Sequence, residues 1–288
     1  LIERVLPPNE PLEARRRLFL IFMTLPAVIY VAIFAIYPAV VGLSYSLYRY
    51  NLMRPQRTRF VGIENYLKLW SDPATHAAIV NTLVFVAAAV ALEFVLGFAL
   101  ALLLWRDRFF NRVVLAFLLI PVTVTPLATG LIFRALLTAD YGLIGYWARV
   151  LGVSGERGFL GTPETALATI VVMDVWQWTP LMTLILLAGL KAIPSSFLEA
   201  AEMDGANAFQ RFTTIIVPVM IPTILLAVLL RMIDASFVFD TIYVTTNGGP
   251  NNATNVLTIQ AVKEGLEFFN IGTAATISAL MLALVGLM

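Results

Sequence analysis

The chain has 288 residues, 60% of them hydrophobic and 13% charged, with a net charge of +1. An ordinary soluble domain carries roughly 25% charge, so the composition is that of a membrane protein, and near-neutrality offers no basic patch for nucleic acid. Cysteine is absent and His76 is the single histidine, which excludes disulfides, thiolate chemistry and the usual tetrahedral zinc set.

In chain order, residues 1–17 read as a tail carrying Arg4, Arg15, Arg16 and Arg17. The chain opens on Leu1 and closes on Met288 inside an apolar run, so both ends are expected to be trimmed. A spanning helix needs about 20 mainly apolar residues to cross roughly 30 Å of hydrocarbon. Six runs meet that length: 18–47, 77–105, 113–137, 166–190, 213–244 and 271–288. The expected fold class is therefore all-α and polytopic, with about six transmembrane helices in one domain over 18–288. Pro26, Pro38, Pro121, Pro126, Pro180, Pro218 and Pro222 fall inside these runs and predict kinks, which membrane bundles tolerate. The first and fifth runs are long enough to be a span plus an interfacial segment.

Orientation follows from Lys and Arg near the span ends. Arg15, Arg16 and Arg17 abut the first run, and Arg106, Arg108 and Arg112 fill the link between the second and third. These compact clusters place the amino terminus in the cytoplasm, although the opposite connections hold Arg49, Arg54, Arg57, Arg59, Lys68, Arg149, Arg157 and Lys263. The outer connections are then 48–76, 139–165 and 245–270, long enough to be functional. The first contains "FVGIENYLKLW" and the third the turn cluster "TNGGPNN".

Ionisable residues inside a bilayer face a cavity or a partner. Here they are Glu93, Arg134, Asp174, Arg231, Asp234 and Asp240. Arg231 and Asp234, three apart on one helix face, are expected to pair. Helix-end snorkelling accounts for Arg134 and Asp240, and Glu93, without a partner in its own helix, is expected to meet a sister subunit. Thr123, Thr125 and Thr129 add hydroxyls to the third run, although threonine in a membrane helix more often bonds its own backbone. An aspartyl protease using two of Asp174, Asp234 and Asp240 is the enzyme reading the residues leave open. A serine hydrolase would need His76 and lacks a Gly-x-Ser-x-Gly elbow.

Between the fourth and fifth runs lies a polar island, 193–212. Ser196 and Glu199 stand in the relation of a capping box, predicting a short helix that starts there. Phe197, Ala200, Ala201, Asp204 and Ala208 form a mostly small-residue stripe along it, and Gly205 is the expected stop. Such a stripe suits a partner surface; an amphipathic connection lying on the membrane is the alternative.

The stretch "EAAEMDGANAFQRFTTIIVP" resembles the cytoplasmic EAA loop of binding-protein-dependent ABC importer permeases. Glu199, Ala200, Ala201, Gly205, Ile215 and Pro218 fit that pattern, and Val217 stands where leucine is usual. "FVGIENY" (60–66), "VWQWTPLMTLILLAGLKAIP" (175–194) and "FDTIYVTTNGGP" (239–250) are similar to the maltose-permease-like group of sugar importers. The type I importer fold implied has two homologous permease subunits sharing one pathway that works by alternating access. The EAA loop, through Glu199, Ala200, Ala201, Asp204, Gly205 and Ala206, would couple to one of two ATP-binding cassette subunits. These hold ATP and Mg, so this chain would bind no cofactor or metal and catalyse nothing; it contains no Gly-x-x-x-x-Gly-Lys-Ser/Thr loop. An extracytoplasmic solute-binding protein would dock on outer loops at Gly62, Asn65, Tyr66, Gly248, Gly249 and Pro250.

Carried over from the same resemblance, the substrate pathway comprises Asp174, Gln177, Trp178 and Leu181, with Thr123 in the third run and Val238 in the fifth. The maltose permease has asparagine at the position of Asp174 and glycine at that of Trp178, which implies a differently shaped pocket. Carboxylate, amide and aromatic face suit a sugar's hydroxyls and ring. The implied protein is a multi-pass permease of a bacterial or archaeal cytoplasmic (inner) membrane, surrounded by lipid and importing a di- or oligosaccharide. A polyol or glycerol-3-phosphate permease of the same family, or a stand-alone secondary transporter or receptor, are the alternatives.

Overall fold

The structure, a computed structural model, describes residues 12–106, 109–153 and 155–288, with the side chains of 12–15 excepted. Arg4, Arg108 and the Arg15 side chain, which enter the orientation reading, lie outside the described residues. Each of the six apolar runs is helical. Arg16–Ser46, Pro73–Leu104, Pro163–Lys191 and Ala208–Ser236 are each long and apolar enough to cross a membrane. The third run is two helices, Phe109–Thr123 and Pro126–Leu137, bent by 93° at the break between them. The last, Ile271–Leu287, is a shorter apolar helix of 17 residues, so the described residues hold four helices long enough to span, or five with the bent pair, against the six expected.

Proline sets several of these boundaries. Pro73, Pro126 and Pro163 occupy first-turn positions, where a missing N–H costs nothing. Ahead of Pro73, the Asp72 carboxylate caps the helix by accepting from the amides of Ala74 and Thr75 and from the Thr75 hydroxyl. Burial pushes that carboxyl up, but the Thr75 hydroxyl, the two amides and Gln260 outweigh burial and hold it below its ordinary value. Inside the first and fifth spans, proline is absorbed by a one-turn π-helix. Tyr37 N–H bonds to Ala32 O just before Pro38, and Val217 N–H to Phe212 O just before Pro218. The first run is thus a single helix from Arg16, whereas the fifth stops at Ser236 and is followed by a separate short helix, Asp240–Thr245.

The core is the seam between the second and fourth spans, where Phe85, Ala89 and Ala101 meet Ile170, Met182 and Leu186. Gly97 permits the close approach, since a Cβ there would sit 2.8 Å from Met182 Cγ. The first span is different: none of its apolar window is buried within the chain, and only its later part, Tyr37–Ser46, packs on the last helix.

Two of the long connections between spans fold back on them. Strands β1 (Tyr48–Arg49) and β2 (Arg59–Phe60) pair antiparallel. Asn65 Nδ2 donates to the carbonyls of Ser46 and Tyr48 at 2.8 and 2.9 Å, and Tyr66 hydroxyl meets Ser46 Oγ at 2.7 Å. In the third connection, Lys263 Nζ donates to Asn247 O at 2.7 Å, Gly248 has φ +83° and is buried, and the Gly249–Pro250 bond is cis.

Candidate functional site

Irregular backbone at membrane depth persists only where protein buries it or it lines a cavity. Two such breaks meet beside the unbroken fourth span. The third run breaks at Val124–Thr125, and the fifth at Phe237–Phe239, within the sequence "DASFVFD". Thr241 Oγ1 donates to Pro126 O at 3.2 Å and joins the two breaks. Between them lies a cavity of about 120 Å³ bordered by Asp174, Trp178, Asp234, Phe237, Val238 and Asp240, among others.

Behind the cavity sits a buried charge network. Arg231 is 2% exposed and donates from Nε and Nη2 to both oxygens of Glu93, at 2.7 and 2.8 Å. Its Nη2 also reaches Asp174 Oδ2 at 2.9 Å, its Nη1 bonds Asp234, and its Cζ lies 4.9 Å from the Trp178 ring centroid. A two-pronged guanidinium–carboxylate pair has the strength and fixed geometry that buried charges require. One arginine thereby ties the second, fourth and fifth spans and orients two carboxylates that border the cavity.

The expected site residues divide accordingly. Asp174, Trp178 and Val238 border the cavity. Gln177 does not: it is buried, and its Nε2 donates to Val124 O at 2.7 Å, bonding a carbonyl at the proline break. Leu181 lies one turn further on, half-buried, and Thr123 is exposed with its hydroxyl on Ile120 O; neither borders the cavity. Glu93 needs no sister subunit, because its partner is Arg231; reasoning along one helix cannot find a residue 138 positions away. Arg134, exposed in the last turn of its helix, donates to Val244 O at 2.7 Å, at the end of the short helix after the fifth-run break. Asp234 pairs with Arg231 as its spacing predicts, and with Asp240 it is also a cavity residue that sequence reasoning missed. The available signal was the acid on each side of the aromatic break.

The polar island is a second site. Its helix, Ser195–Met203, begins one residue before Ser196, with Pro194 as N-cap and no side-chain cap, so the predicted Ser196–Glu199 capping box does not form. The box lies further on, where Asn207 and Gln210 exchange side chain to backbone bonds, both 2.9 Å. Gly205 ends the helix as expected. Its φ is +78°, and the bonds Gly205 N–H to Glu202 O and Ala206 N–H to Ala201 O are those of a Schellman stop. Arg211 Nη1, 3.3 Å from Glu202, closes the turn. Glu199, Ala200, Asp204 and Gly205 are exposed, while Ala201 and Ala206 are half-buried. Three large apolar side chains, Phe197, Met203 and Phe209, are also exposed here, Met203 by 89%.

In the first and third long connections, Asn65 and Tyr66 turn inward to the end of the first span and Gly248 is buried, so these three expected docking residues support the loops from within. Gly62, with φ +55°, shapes the turn before them.

Fold and sites together define a polytopic helical membrane protein with a broken-helix cavity and an exposed, capped helix between two spans. Residues 93–288 match the family described as "Binding-protein-dependent transport system inner membrane component", and the chain belongs to that family. It is 40% identical over 264 residues to the trehalose/maltose transport system permease protein MalF of Thermococcus litoralis, covering 91% of this chain and 88% of that one. It is 37% identical over 268 residues to the trehalose transport system permease protein SugA of Mycobacterium tuberculosis, covering 93% and 85%. Its fold matches a chain of a bacterial ABC transporter involved in import of the acidic polysaccharide alginate, with a TM-score of 0.78 at 22% identity over 96% of this chain and 95% of that one. The protein is thus an inner-membrane permease component.

Proposed function

We propose that this chain forms half of the translocation pathway of an ATP-driven importer for a neutral disaccharide of the trehalose or maltose type. The observation that carries this is the helix Ser195–Met203, which presents Phe197 and Met203 to solvent between two spanning helices. Exposed apolar side chains on a helix closed by a glycine stop fit the cleft of a partner better than water. That partner is an ATP-binding cassette subunit holding ATP and Mg, so the island and the amino terminus face the cytoplasm. Motion of the docked helix passes along the fourth and fifth spans to the two breaks.

The sugar would meet Asp174, Asp234 and Asp240 with its hydroxyls, and Trp178 and Phe237 with its C–H faces. A cavity of about 120 Å³ is too small for a disaccharide, since ligand sites commonly hold about 300 Å³ or more. A second, homologous permease would complete it and cover the bare first span. A phosphorylated substrate has less support, because Arg231 is already engaged by Glu93, Asp174 and Asp234. An extracytoplasmic binding protein would dock on the outer loops through Leu67 and Trp70, exposed just after "FVGIENY", and through Gly249 and Pro250.

The test is reconstitution with the sister permease, ATPase and binding protein. Sugar uptake that requires ATP and is lost when the ATPase is omitted is the expected result; uptake by this chain alone would overturn the reading.

A further inference from the structure

On the connection after the first span lies an arginine cradle that the transport pathway leaves unused. A cavity of about 640 Å³ is lined by Arg49, Asn51, Met53, Arg54, Arg57, Arg59 and Asn270, with four guanidinium groups and no carboxylate. Glu64, the acid beside it, is already bonded by Arg49 and Lys68. Arg54, Arg57 and Arg59 are all exposed, and Pro55–Arg57 forms a 3-10 turn that spaces the first two.

The cradle is built rather than frayed. The β1–β2 pairing holds its sides, with Arg49 opposite Arg59. Its floor is pinned to the start of the last helix by Leu52 N–H to Phe269 O at 2.9 Å, Asn51 Nδ2 to Asn270 Oδ1 at 2.6 Å, and Gly272 N–H to Tyr50 O at 3.0 Å. Its depth follows from these ties. The first helix ends at Ser46, three residues before Arg49, and the last begins at Ile271, immediately after Asn270. The cradle therefore spans two points where apolar helices leave the hydrocarbon. Exposed Tyr48, Leu52, Met53, Phe60 and Phe268 surround it, the mixture of aromatic and apolar side chains found at a membrane–water boundary.

Guanidinium groups grip phosphate oxygens two at a time, and basic clusters beside a span end favour anionic headgroups. We propose that the cradle formed by Arg49, Arg54, Arg57 and Arg59 binds the phosphodiester headgroup of an anionic phospholipid. Only the leaflet assigned to it, the outer one, rests on the orientation proposed above; the binding does not.

The test compares the assembled transporter with its Arg54→Gln, Arg57→Gln, Arg59→Gln variant, reconstituted in phosphatidylcholine with phosphatidylglycerol. Retained lipid is read by native mass spectrometry. The intact complex should keep phosphatidylglycerol in preference to phosphatidylcholine, and the variant should retain it about tenfold less, since each basic residue adds to headgroup attraction. Equal retention by both overturns the proposal. Displacement of the retained lipid by glycerol phosphate at matched concentration would assign the cradle to a soluble anion. Weaker binding-protein association by the variant in phosphatidylcholine alone would assign it to a protein surface. Sugar uptake does not enter the measurement, so failure of the sugar reading and failure of this one are separately visible.

Discussion

Arg231 on the fifth span holds both carboxylate oxygens of Glu93 on the second, at 2.7 and 2.8 Å, and the two side chains are almost completely shielded from solvent. Removing one member of a buried charge pair leaves the other uncompensated, and this arginine serves Asp174 and Asp234 as well.

Arg231→Met should therefore destabilise the permease by about 3–5 kcal/mol, whereas Glu93→Gln, which keeps a hydrogen-bonding group, should cost about 1–3 kcal/mol. Thermal unfolding of the detergent-solubilised complex measures both. A Tm for Arg231→Met equal to that of the unmodified protein would mean that the network carries no stability.

Gln177 and Asp240 should behave oppositely. Gln177→Leu strands the Val124 carbonyl and should cost about 1–3 kcal/mol, with the uptake KM unchanged. Asp240→Asn, at an exposed position bordering the cavity, should leave stability within about 0.5 kcal/mol of the parent and alter the KM for sugar. A KM shift in the first variant and none in the second would return Gln177 to the sugar site and remove Asp240.

Gly205 has open space around it, so only its positive φ resists a side chain. Gly205→Ala should strain the helix stop by about 1 kcal/mol, and Gly205→Asn, better suited to the left-handed region, by less. If the stop aligns the docking helix, ATP hydrolysis per sugar imported should rise in the order parent, Asn, Ala. Identical coupling ratios in all three, together with a normal ratio for Glu199→Lys, would remove the docking role.

Asp72 and Glu64 give the connection after the first span an acid sensitivity. Hydrogen bonding by Lys68, with the charges of Arg49, Lys68 and Arg59, holds Glu64 below its ordinary value of 4.5, and the Thr75-centred cap holds Asp72 below 3.8 despite burial. A depressed carboxyl contributes stability that is full above its unfolded pKa and is lost as pH falls through the folded one. Tm should be level near neutrality and fall with acid below about pH 4, with a smaller fall in Asp72→Asn. An acid limb unchanged in that variant would place the sensitivity elsewhere.

The six apolar runs, the proline-rich bundle and the Gly205 stop were legible from residue order, because hydrophobic length, missing amides and positive φ are local properties. The helix of the "EAA" stretch was legible for the same reason, since its Gly205 stop and its exposed residues lie within a dozen positions. Other features depended on which distant segments meet. Ser196 fell inside the helix that Pro194 starts, and the capping box formed instead at Asn207 on the next short helix, Ala208–Arg211. Gln177 became a backbone partner only because the broken third run lay against it, and Glu93 found Arg231 across two spans. Sequence by itself determined that this chain is a polytopic helical membrane protein. Tertiary structure alone decided which buried charges pair and which border the cavity, because pairing depends on distances between helices that residue order does not contain.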